Sequence, residues 1–258
     1  MNFGRPHRHY RATDSTNARA KALAESGAPG GLVVTAGEQS TGRGRQGRSW
    51  FAPAGTALLY SALLRPLGRR PLLPLAVPLA VCEACEEVAP VRCELKWPND
   101  VWVEGRKLAG VLIESRPPAP GPREGAPSGA TRLLSEEAGD DEDWAVIGVG
   151  LNVAVPADAF PPDLRETATS LGSGPPPSVS DAREALNAAL GRWAGAPSGE
   201  VLARFRARDA LRGRAIAWDD GEGTAAGIDD AGHLLVETGE GTRALGAGEV
   251  HLRVGSPG

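Results

Sequence analysis

The chain has 258 residues, 28 of them Lys or Arg and 32 of them Asp or Glu, so its formal net charge is −4 and its pI is about 5.7. An apolar fraction of 41% can form a buried core, which excludes general disorder, and the mild acidity argues against a protein whose main task is to coat nucleic acid. Three cysteines are too few for a disulfide scaffold and suit a reducing cytoplasm, and the most apolar stretch, residues 71–85, is shorter than a membrane span and contains Pro74 and Pro78.

The first half of the chain shows alternating helix and strand signals. The stretch 14–17 (DSTN) offers helix-capping side chains, and Gly- and Pro-rich turns separate the apolar runs that follow. The predicted elements are a helix over 18–26, a strand over 32–35, a Gly/Arg loop over 37–50, a strand over 56–64, a buried helix over 75–88 and two strands over 92–114 around a turn at 104–105.

Residues 116–143 differ in composition from the rest of the chain. They contain five prolines and four glycines and end in four consecutive acidic residues, so this segment cannot bury enough apolar surface to order itself. We predict a disordered hairpin extension. Its seven acids and three arginines account for the whole formal charge of −4, which leaves 25 basic and 25 acidic residues in the remaining chain.

The second half of the chain begins with a predicted strand over 145–155 and a Pro-rich connection over 156–177. A capping-box pattern at Asp181 and Glu184 opens a helix to about Trp193, and an amphipathic helix follows over 200–211. Beyond Arg212 the pattern changes to short strands between Gly-rich turns, which suits a small SH3-like barrel. We therefore predict one domain over 1–210 and a second over 211–258.

A stretch rich in glycine and arginine occupies residues 42–50 (GRGRQGRSW). Its three arginines supply guanidinium donors on a backbone that can wrap closely round an anion. The same letters satisfy G-x-G-x-x-G, but a dinucleotide-binding loop should open a helix and meet an acidic residue about 20 positions later. Here no Asp or Glu occurs between Trp50 and Val81, so we exclude a dinucleotide-binding loop. We predict an anion cradle, and a flexible, solvated basic loop is the alternative.

Two lysines and an aspartate belong to a second group of candidates. Lys96 and Asp100 lie in the stretch KWPND, and Lys107 opens the stretch KLAG. Adjacent strands of a hairpin would bring these side chains to one cleft, where a lysine can neutralise a developing phosphoryl charge and an aspartate can orient an incoming amine. The alternative is a surface ion pair of little consequence.

Residues 148–152 (GVGLN) read as a strand with two glycines, a feature that often marks the close approach of a ligand or another backbone. Asn152 could then reach a nucleotide phosphate or a metal-bound water, whereas a bulge in a crowded sheet is the structural alternative.

Cys82 and Cys85 are predicted to be core-facing thiols, because zinc needs four ligands and the histidines show no matching spacing. We predict no metal ligands in the chain.

Taken together and in order, these motifs resemble those of biotin–protein ligases over about residues 10–175, and more loosely to the C-terminus. The shared stretches are 14–17, Gln39 with 42–48 and Trp50, 96–100, 107–110 and 148–152. The resemblance implies an α+β fold, with a mixed, largely antiparallel sheet and flanking helices like those of class II aminoacyl-tRNA synthetases, plus a C-terminal SH3-like β-barrel. It implies that biotin and MgATP give biotinoyl-5′-AMP and pyrophosphate, and that a lysine of a carrier domain then displaces AMP.

The resemblance also assigns roles to individual residues. The implied biotin-binding residues are Ser15, Thr16, Asn17, Gln39, Arg43, Gly44, Arg45 and Lys107. The implied nucleotide-binding residues are Arg45, Trp50, Lys96 and Asn152. The implied catalytic residues are Lys107, Asp100, Arg43 and Arg45, with Asp100 orienting or deprotonating the acceptor lysine.

The implied partner is the biotin carboxyl carrier domain of a biotin-dependent carboxylase in the cytoplasm, with no nucleic acid and no membrane involved, and the chain is a monomer or a homodimer. Some members of the family carry a DNA-binding module ahead of the first signature, which starts here at residue 14, so we expect a ligase without repressor activity. The alternatives are a lipoate or octanoyl ligase, which shares the fold and chemistry, and a non-catalytic biotin-sensing or scaffolding protein, which would not need Lys107 and Asp100.

Overall fold

The structure, a computed structural model, describes residues 1–116, 143–172, 177–246 and 250–252. Apart from its two end residues, the predicted disordered insert at 116–143 lies outside the described residues. The helices are α1 (Thr16–Glu25), α2 (Leu73–Val88), α3 (Val179–Trp193) and α4 (Ser198–Arg206). The strands of the larger sheet are β1 (His7–Tyr10), β2 (Val33–Ala36), β3 (Ala57–Leu64), β4 (Glu94–Lys96), β5 (Asp100–Val103), β6 (Arg106–Ser115) and β7 (Ala145–Asn152).

The seven strands of the larger sheet are ordered β1-β2-β3-β7-β6-β5-β4. β1 pairs in parallel with β2, and the other neighbouring pairs are antiparallel. The predicted α+β class, with a mixed, largely antiparallel sheet and flanking helices, is confirmed. The register places Gly150 between Leu59 of β3 and Gly110 of β6. Gly148 lies between Ser61 of β3 and Leu112 of β6, so segments that are far apart in the sequence meet in the middle of the sheet.

Helices cover both faces of this sheet, which explains why β3 is apolar without alternation. Successive residues of a strand point to opposite faces. Val33 accordingly packs in the large apolar cluster that contains α2 and α3, while Val34 packs against Ala20 and Ala24 of α1. None of the helices in the described part of the chain is long and apolar enough to cross a membrane.

The structure differs from the sequence pattern at several boundaries. The pattern did not predict β1, because its residues are polar and largely exposed at the sheet edge. The capping box of α3 is formed by Ser178 and Asp181, three residues earlier than predicted, so Asp181 is the third helical residue and not the cap. The turn at Glu104 and Gly105 is confirmed, and both residues have positive φ angles of 51° and 74°, as a two-residue hairpin turn requires.

A second, antiparallel sheet follows α4, with the strand order β11-β10-β9-β8-β12. Its strands are β8 (Ala215–Trp218), β9 (Gly221–Ile228), β10 (Leu234–Thr238), β11 (Gly241–Leu245) and β12 (His251–Leu252). Buried side chains of this sheet, such as Leu234 and Val236, belong to the same apolar cluster as α2. The turn before β10 also contacts the larger sheet, where the indole Nε1 of Trp97 donates a hydrogen bond to the carbonyl of Gly232 at 3.1 Å. The two sheets therefore share one core.

Candidate active site

A cleft of about 920 Å³, including the solvent at its mouth, opens where the start of α1 meets β3, β6 and β7. Most of the predicted site residues converge on it, namely Ser15, Thr16, Asn17, Gln39, Arg43, Gly44, Arg45, Trp50, Lys96, Asp100 and Lys107. The remaining candidate, Asn152, does not line the cleft. The fold therefore assembles one site from motifs that lie far apart in the sequence.

A polar group, here called the polar floor, is formed by Thr16, Asn17 and Gln39 of the cleft lining together with Ser61, which contacts Thr16 and Asn17. Thr16 is 3% exposed, Asn17 5% and Ser61 not at all. Ser15 is the N-cap residue of α1, but its side chain makes no capping hydrogen bond. Instead the Gln39 Oε1 atom accepts the Thr16 N–H at 2.6 Å, so a side chain from another segment caps the helix. Ser15 is thereby left on the cleft wall.

The polar floor has fewer hydrogens than oxygen–oxygen contacts. Oxygen pairs lie at hydrogen-bond distance between Thr16 and Gln39 (3.0 Å), Ser61 and Thr16 (2.8 Å), and Ser61 and Asn17 (2.6 Å). The two hydroxyl groups provide only two hydrogens for these three contacts, because amide oxygens accept and do not donate. The floor therefore has acceptor capacity left over, and a ligand that brings N–H donors can satisfy it.

Residues 42–50, predicted as a loop, form a hydrogen-bonded hairpin with a 3-10 turn at its tip. The Trp50 N–H donates to the Gly42 carbonyl at 2.9 Å, and the Gly44 N–H donates to the Arg48 carbonyl at 2.7 Å. At the tip, an Arg45 guanidinium N–H donates to Asn99 Oδ1 at 3.2 Å, which links this Gly/Arg hairpin to the turn between β4 and β5. The hairpin therefore presents its arginines over the cleft from a defined backbone.

The cleft is lined by a cluster of cations and one carboxylate. Its described lining includes Arg43, Arg45, Arg48, Lys96 and Lys107, and Asp100 carries the one carboxylate among the described lining residues. Asp100 Oδ1 lies 2.8 Å from Lys107 Nζ, so the predicted pair forms inside the site and not on an open surface. Burial lowers the pKa of Lys96, as do Lys107 and Arg48 nearby, and burial also lowers the pKa of Arg45. An incoming anion would relieve this clustering of positive charge.

Glycines in the middle of the sheet allow two side chains of the site to approach the strand backbone. A Cβ at Gly150 would lie 2.5 Å from Trp50 Cε2, and a Cβ at Gly148 would collide with the side-chain amide of Asn17. The close approach predicted from the two glycines is thus made by side chains of the protein itself. Lys107 Nζ lies 5.9 Å from the centre of the same Trp50 ring, within cation–π range.

Replacing Gly150 by alanine is expected to displace the Trp50 indole and to lower the free energy of unfolding by about 1–3 kcal/mol, the usual cost of overpacking. Gly110→Ala should cost less, because its Cβ would lie 3.2 Å from Trp50 Cζ3. Urea unfolding followed by far-UV circular dichroism measures both. In a Trp50→Ala background the cost of Gly150→Ala should largely disappear, and an equal cost in both backgrounds would show that the indole is not the obstacle.

The structure places Asn152 behind the site. Its Nδ2 donates to the Thr169 carbonyl at 3.0 Å, and its Oδ1 is buried without a hydrogen-bond partner in the described structure. The segment that Asn152 holds pairs with the backbone of Lys107, since the Lys107 N–H donates to the Thr167 carbonyl and the Thr169 N–H donates to the Lys107 carbonyl. The structure thus connects Asn152 to the lysine backbone of the site. The predicted direct reach of Asn152 toward a nucleotide stays a prediction.

Sequence reasoning missed three residues that hold the site together. Ser61 is a buried hydroxyl in an otherwise apolar strand apart from Tyr60, and that break in β3 was the available signal. Glu114 accepts from Asn17 Nδ2 at 2.9 Å, and Asn99 Oδ1 accepts from Arg45. Both contacts join segments far apart in the chain, so no local pattern could indicate them.

The chain is similar to known proteins along most of its length. Residues 10–121 match the biotin/lipoate A/B protein ligase family, and residues 219–253 match the biotin protein ligase C-terminal domain. The biotin–[acetyl-CoA-carboxylase] ligase of Paracoccus denitrificans is 34% identical over 92% of this chain and 97% of its own length. That of Mycobacterium tuberculosis is 34% identical over 93% of this chain and 87% of its own length.

The chain belongs to the biotin protein ligase family. It is therefore a ligase, as the sequence motifs predicted. Among solved structures, a biotin protein ligase from Aquifex aeolicus in complex with biotin and ATP superposes with a TM-score of 0.73 at 27% identity, covering 96% of this chain and 98% of that one. The agreement over nearly the full length extends to the C-terminal sheet. This sheet is thus part of the family fold.

Proposed function

We propose that this biotin protein ligase forms biotinoyl-5′-AMP and pyrophosphate from biotin and ATP, and then transfers biotin to one lysine of a carboxylase carrier domain. The observation that carries the proposal is the polar floor of Thr16, Asn17, Gln39 and Ser61, set beside a cluster of cations in one cleft. The floor suits a polar ring, and the cations suit a carboxylate together with phosphates. One cleft can therefore hold both substrates of an acid-activating reaction.

The polar floor favours biotin over lipoate. The ureido ring of biotin brings two N–H donors and a carbonyl acceptor, which match the spare acceptor oxygens of the floor and the hydroxyl and amide donors around it. The dithiolane ring of lipoate has no N–H and would bury these groups unsatisfied. A site built to hydrogen-bond its substrate rejects an analogue that lacks the partner groups by large factors, because the buried polar groups lose their solvation. Lipoate ligation is therefore the weaker alternative.

In the first step an oxygen of the biotin carboxylate attacks the α-phosphorus of ATP and pyrophosphate leaves. The reaction brings two anions together and increases the charge at the α-phosphate, so it needs fixed cations and no enzyme nucleophile. We assign Lys107 to the carboxylate and the α-phosphate, and Arg43 and Arg45 of the Gly/Arg hairpin to the substrates beneath it. Lys96 supplies further charge near the phosphates, and Trp50 is assigned to the nucleotide side. The role of Asn152 toward the nucleotide would be indirect, through the segment that it holds against the backbone of Lys107.

Magnesium is proposed to arrive with ATP. Mg²⁺ keeps several waters and is usually held by one or two carboxylates together with substrate phosphates. Among the described residues no group of three or more His, Cys, Asp or Glu side chains could hold a metal ion, whereas Asp100 provides one carboxylate at the cleft. This donor set fits a substrate-borne ion. Asp100 is the residue that would face the ion, which would neutralise phosphate charge.

In the second step the acceptor lysine amine attacks the acyl carbon of the mixed anhydride and AMP leaves. The attacking amine must lose a proton, and Asp100 is the carboxylate positioned to orient it or to take that proton. Asp100 is 16% exposed in its side chain and is paired with Lys107, so it lies within the cleft and is held in place. A hairpin over the cleft can also shield the water-sensitive anhydride. A non-catalytic biotin sensor would not need the pair of Asp100 and Lys107.

The proposed fold class, cellular compartment and oligomeric state also follow from the family resemblance. The larger sheet with its helices is proposed to share the class II aminoacyl-tRNA synthetase-like arrangement, and the C-terminal sheet to be SH3-like, with a domain boundary near residues 210–211. The antiparallel strand order of the C-terminal sheet supports the second point. The cytoplasm is the proposed compartment, because the three cysteines are free and buried. We further propose that the enzyme acts without nucleic acid, as a monomer or a homodimer.

A biotinylation assay tests the proposal. Purified protein is incubated with ATP, Mg²⁺, biotin and a biotin carboxyl carrier domain, and the carrier is probed on an avidin blot. We expect a labelled carrier with biotin, and no labelling of a carrier whose acceptor lysine is replaced by arginine. Mass spectrometry with lipoate in place of biotin should show an unmodified carrier. No labelling with biotin, or equal use of lipoate, would contradict the proposed function.

A further inference from the structure

We propose that Glu114 is a positioning residue that sets the specificity of the head-group site by holding the side-chain amide of Asn17 in one orientation. This inference rests on the proposed function, because it assumes that the polar floor binds the ureido ring. Glu114 lies on β6, and its Oε2 accepts a hydrogen bond from Asn17 Nδ2 at 2.9 Å. The Leu112 carbonyl accepts from the same nitrogen at 3.4 Å.

These two acceptors decide which end of the Asn17 amide faces the floor. An asparagine amide can rotate by half a turn and exchange its oxygen with its NH₂ group at little steric cost. Here a carboxylate and a carbonyl both require the NH₂ end, so the oxygen is turned to the other side. There Oδ1 lies 2.6 Å from the Ser61 hydroxyl, in the polar floor. Glu114 thereby makes Asn17 an acceptor within the polar floor.

The orientation matters because of the surplus of acceptors in the floor. A ureido N–H needs an acceptor, and an Asn17 amide turned round would present a donor to it and to its neighbours. Buried donors that face each other lose their hydrogen bonds and their solvation. Gly148 reinforces the arrangement, because a side chain there would collide with the Asn17 amide. The close fit against β7 depends on the same asparagine.

The surroundings of Glu114 keep its carboxylate ionised, as is required if it is to hold the Asn17 amide in one orientation. Lys21 Nζ of α1 lies 3.1 Å from Glu114 Oε1, and Arg43 of the Gly/Arg hairpin adds positive charge. Burial by itself would raise the pKa of Glu114, but the hydrogen bonds from Asn17 and Lys21 outweigh it and hold the pKa below its usual range. A charged carboxylate can only accept hydrogen bonds, so it excludes the turned-round amide. The neutral amide of glutamine would tolerate both orientations.

The test is Glu114→Gln, which keeps the shape of the side chain and removes the obligatory acceptor. We expect the dissociation constant for biotin to rise about tenfold or more, with the KM for ATP and the kcat at saturating biotin changed little. Isothermal titration with biotin and steady-state kinetics give these values. Glu104→Gln is the matched control on the same hairpin, because that side chain is 83% exposed, and it should leave all three values unchanged.

Two outcomes would overturn the inference. An unchanged biotin dissociation constant in Glu114→Gln would show that the carboxylate does not set the orientation. An equal loss in biotin affinity, ATP affinity and kcat, together with a lower melting temperature, would show a merely structural role. If the wild-type protein itself bound no biotin, the proposed function would fail and this inference with it. That result can be distinguished from the two outcomes above, because both of them are measured relative to a wild-type protein that binds biotin.

A measurement on the wild-type protein does not depend on the folding of a variant. The chain has five asparagines, so selective ¹⁵N-asparagine labelling gives few side-chain amide signals. The Asn17 amide protons point at Glu114 and Leu112, so we expect them to exchange slowly with solvent and to move little when biotin is added. Fast exchange of these protons in the absence of biotin, or a large change in their chemical shifts when biotin is added, would show that Glu114 does not hold the Asn17 amide in one orientation.

Discussion

Replacing Lys107 by alanine is expected to lower the rate of biotinoyl-adenylate formation by about a hundred- to a thousandfold, the range seen when a fixed group that stabilises developing charge is removed. The lysine projects from β6 into the cleft, and its backbone N–H and carbonyl are both hydrogen-bonded to the segment around Thr167 and Thr169. Its ammonium group is therefore positioned before substrate arrives.

Pyrophosphate release measured without a carrier domain isolates this first step. Arg106→Ala is the control, because Arg106 is the neighbouring cation on β6 and faces Glu104 in the exposed turn at 3.8 Å. It should keep wild-type rates. Far-UV circular dichroism shows whether each variant folds. A folded Lys107→Ala variant with a rate near that of the wild type would rule out the role assigned to this lysine.

Replacing Asp100 by alanine is expected to separate the two steps. Adenylate formation should persist at a reduced rate, because Lys107 remains in the cleft although it loses its partner at 2.8 Å. Transfer to the carrier lysine should fall by about a hundredfold or more, the usual contribution of a positioned general base. The transfer defect should shrink as the pH rises, because more of the acceptor amine is then already deprotonated.

Single-turnover transfer from preformed biotinoyl-5′-AMP to the carrier measures the second step alone. Asp219→Ala, at an exposed turn of the C-terminal sheet, is the matched control and should transfer normally. Equal losses in adenylate formation and in transfer would indicate that Asp100 acts only by holding Lys107. Wild-type rates in both steps would show that its proposed role is wrong.

The sequence predicted those parts of the fold that local pattern determines. The continuous apolar run of β3 and the long apolar run of α2 predicted buried elements, because every residue of β3 and most residues of α2 are buried in the core. β1 escaped prediction, since its pairing with β2 and not its composition makes it a strand. The docking of the C-terminal sheet on Trp97 depends on contacts between segments more than a hundred residues apart.

The same distinction applies to the site. The residue types that bind anions and orient an amine could be read from the motifs at 42–50, 96–100 and 107–110. What the motifs could not show is how these side chains are held. Ser61 and Glu114 reach Asn17 only because β3, β7 and β6 lie in register, and the anchoring of the Lys107 backbone by Thr167 and Thr169 comes from a connection with no strand pattern of its own.

Biotin-dependent exchange between pyrophosphate and ATP is the most direct test of the central claim, which is that one cleft activates the carboxylate of biotin with ATP. The purified protein is incubated with ATP, Mg²⁺ and labelled pyrophosphate, without a carrier domain. We predict that label enters ATP when biotin is present, and at background level with lipoate or with no acid. Exchange that is absent with biotin, or as fast with lipoate as with biotin, would contradict the account.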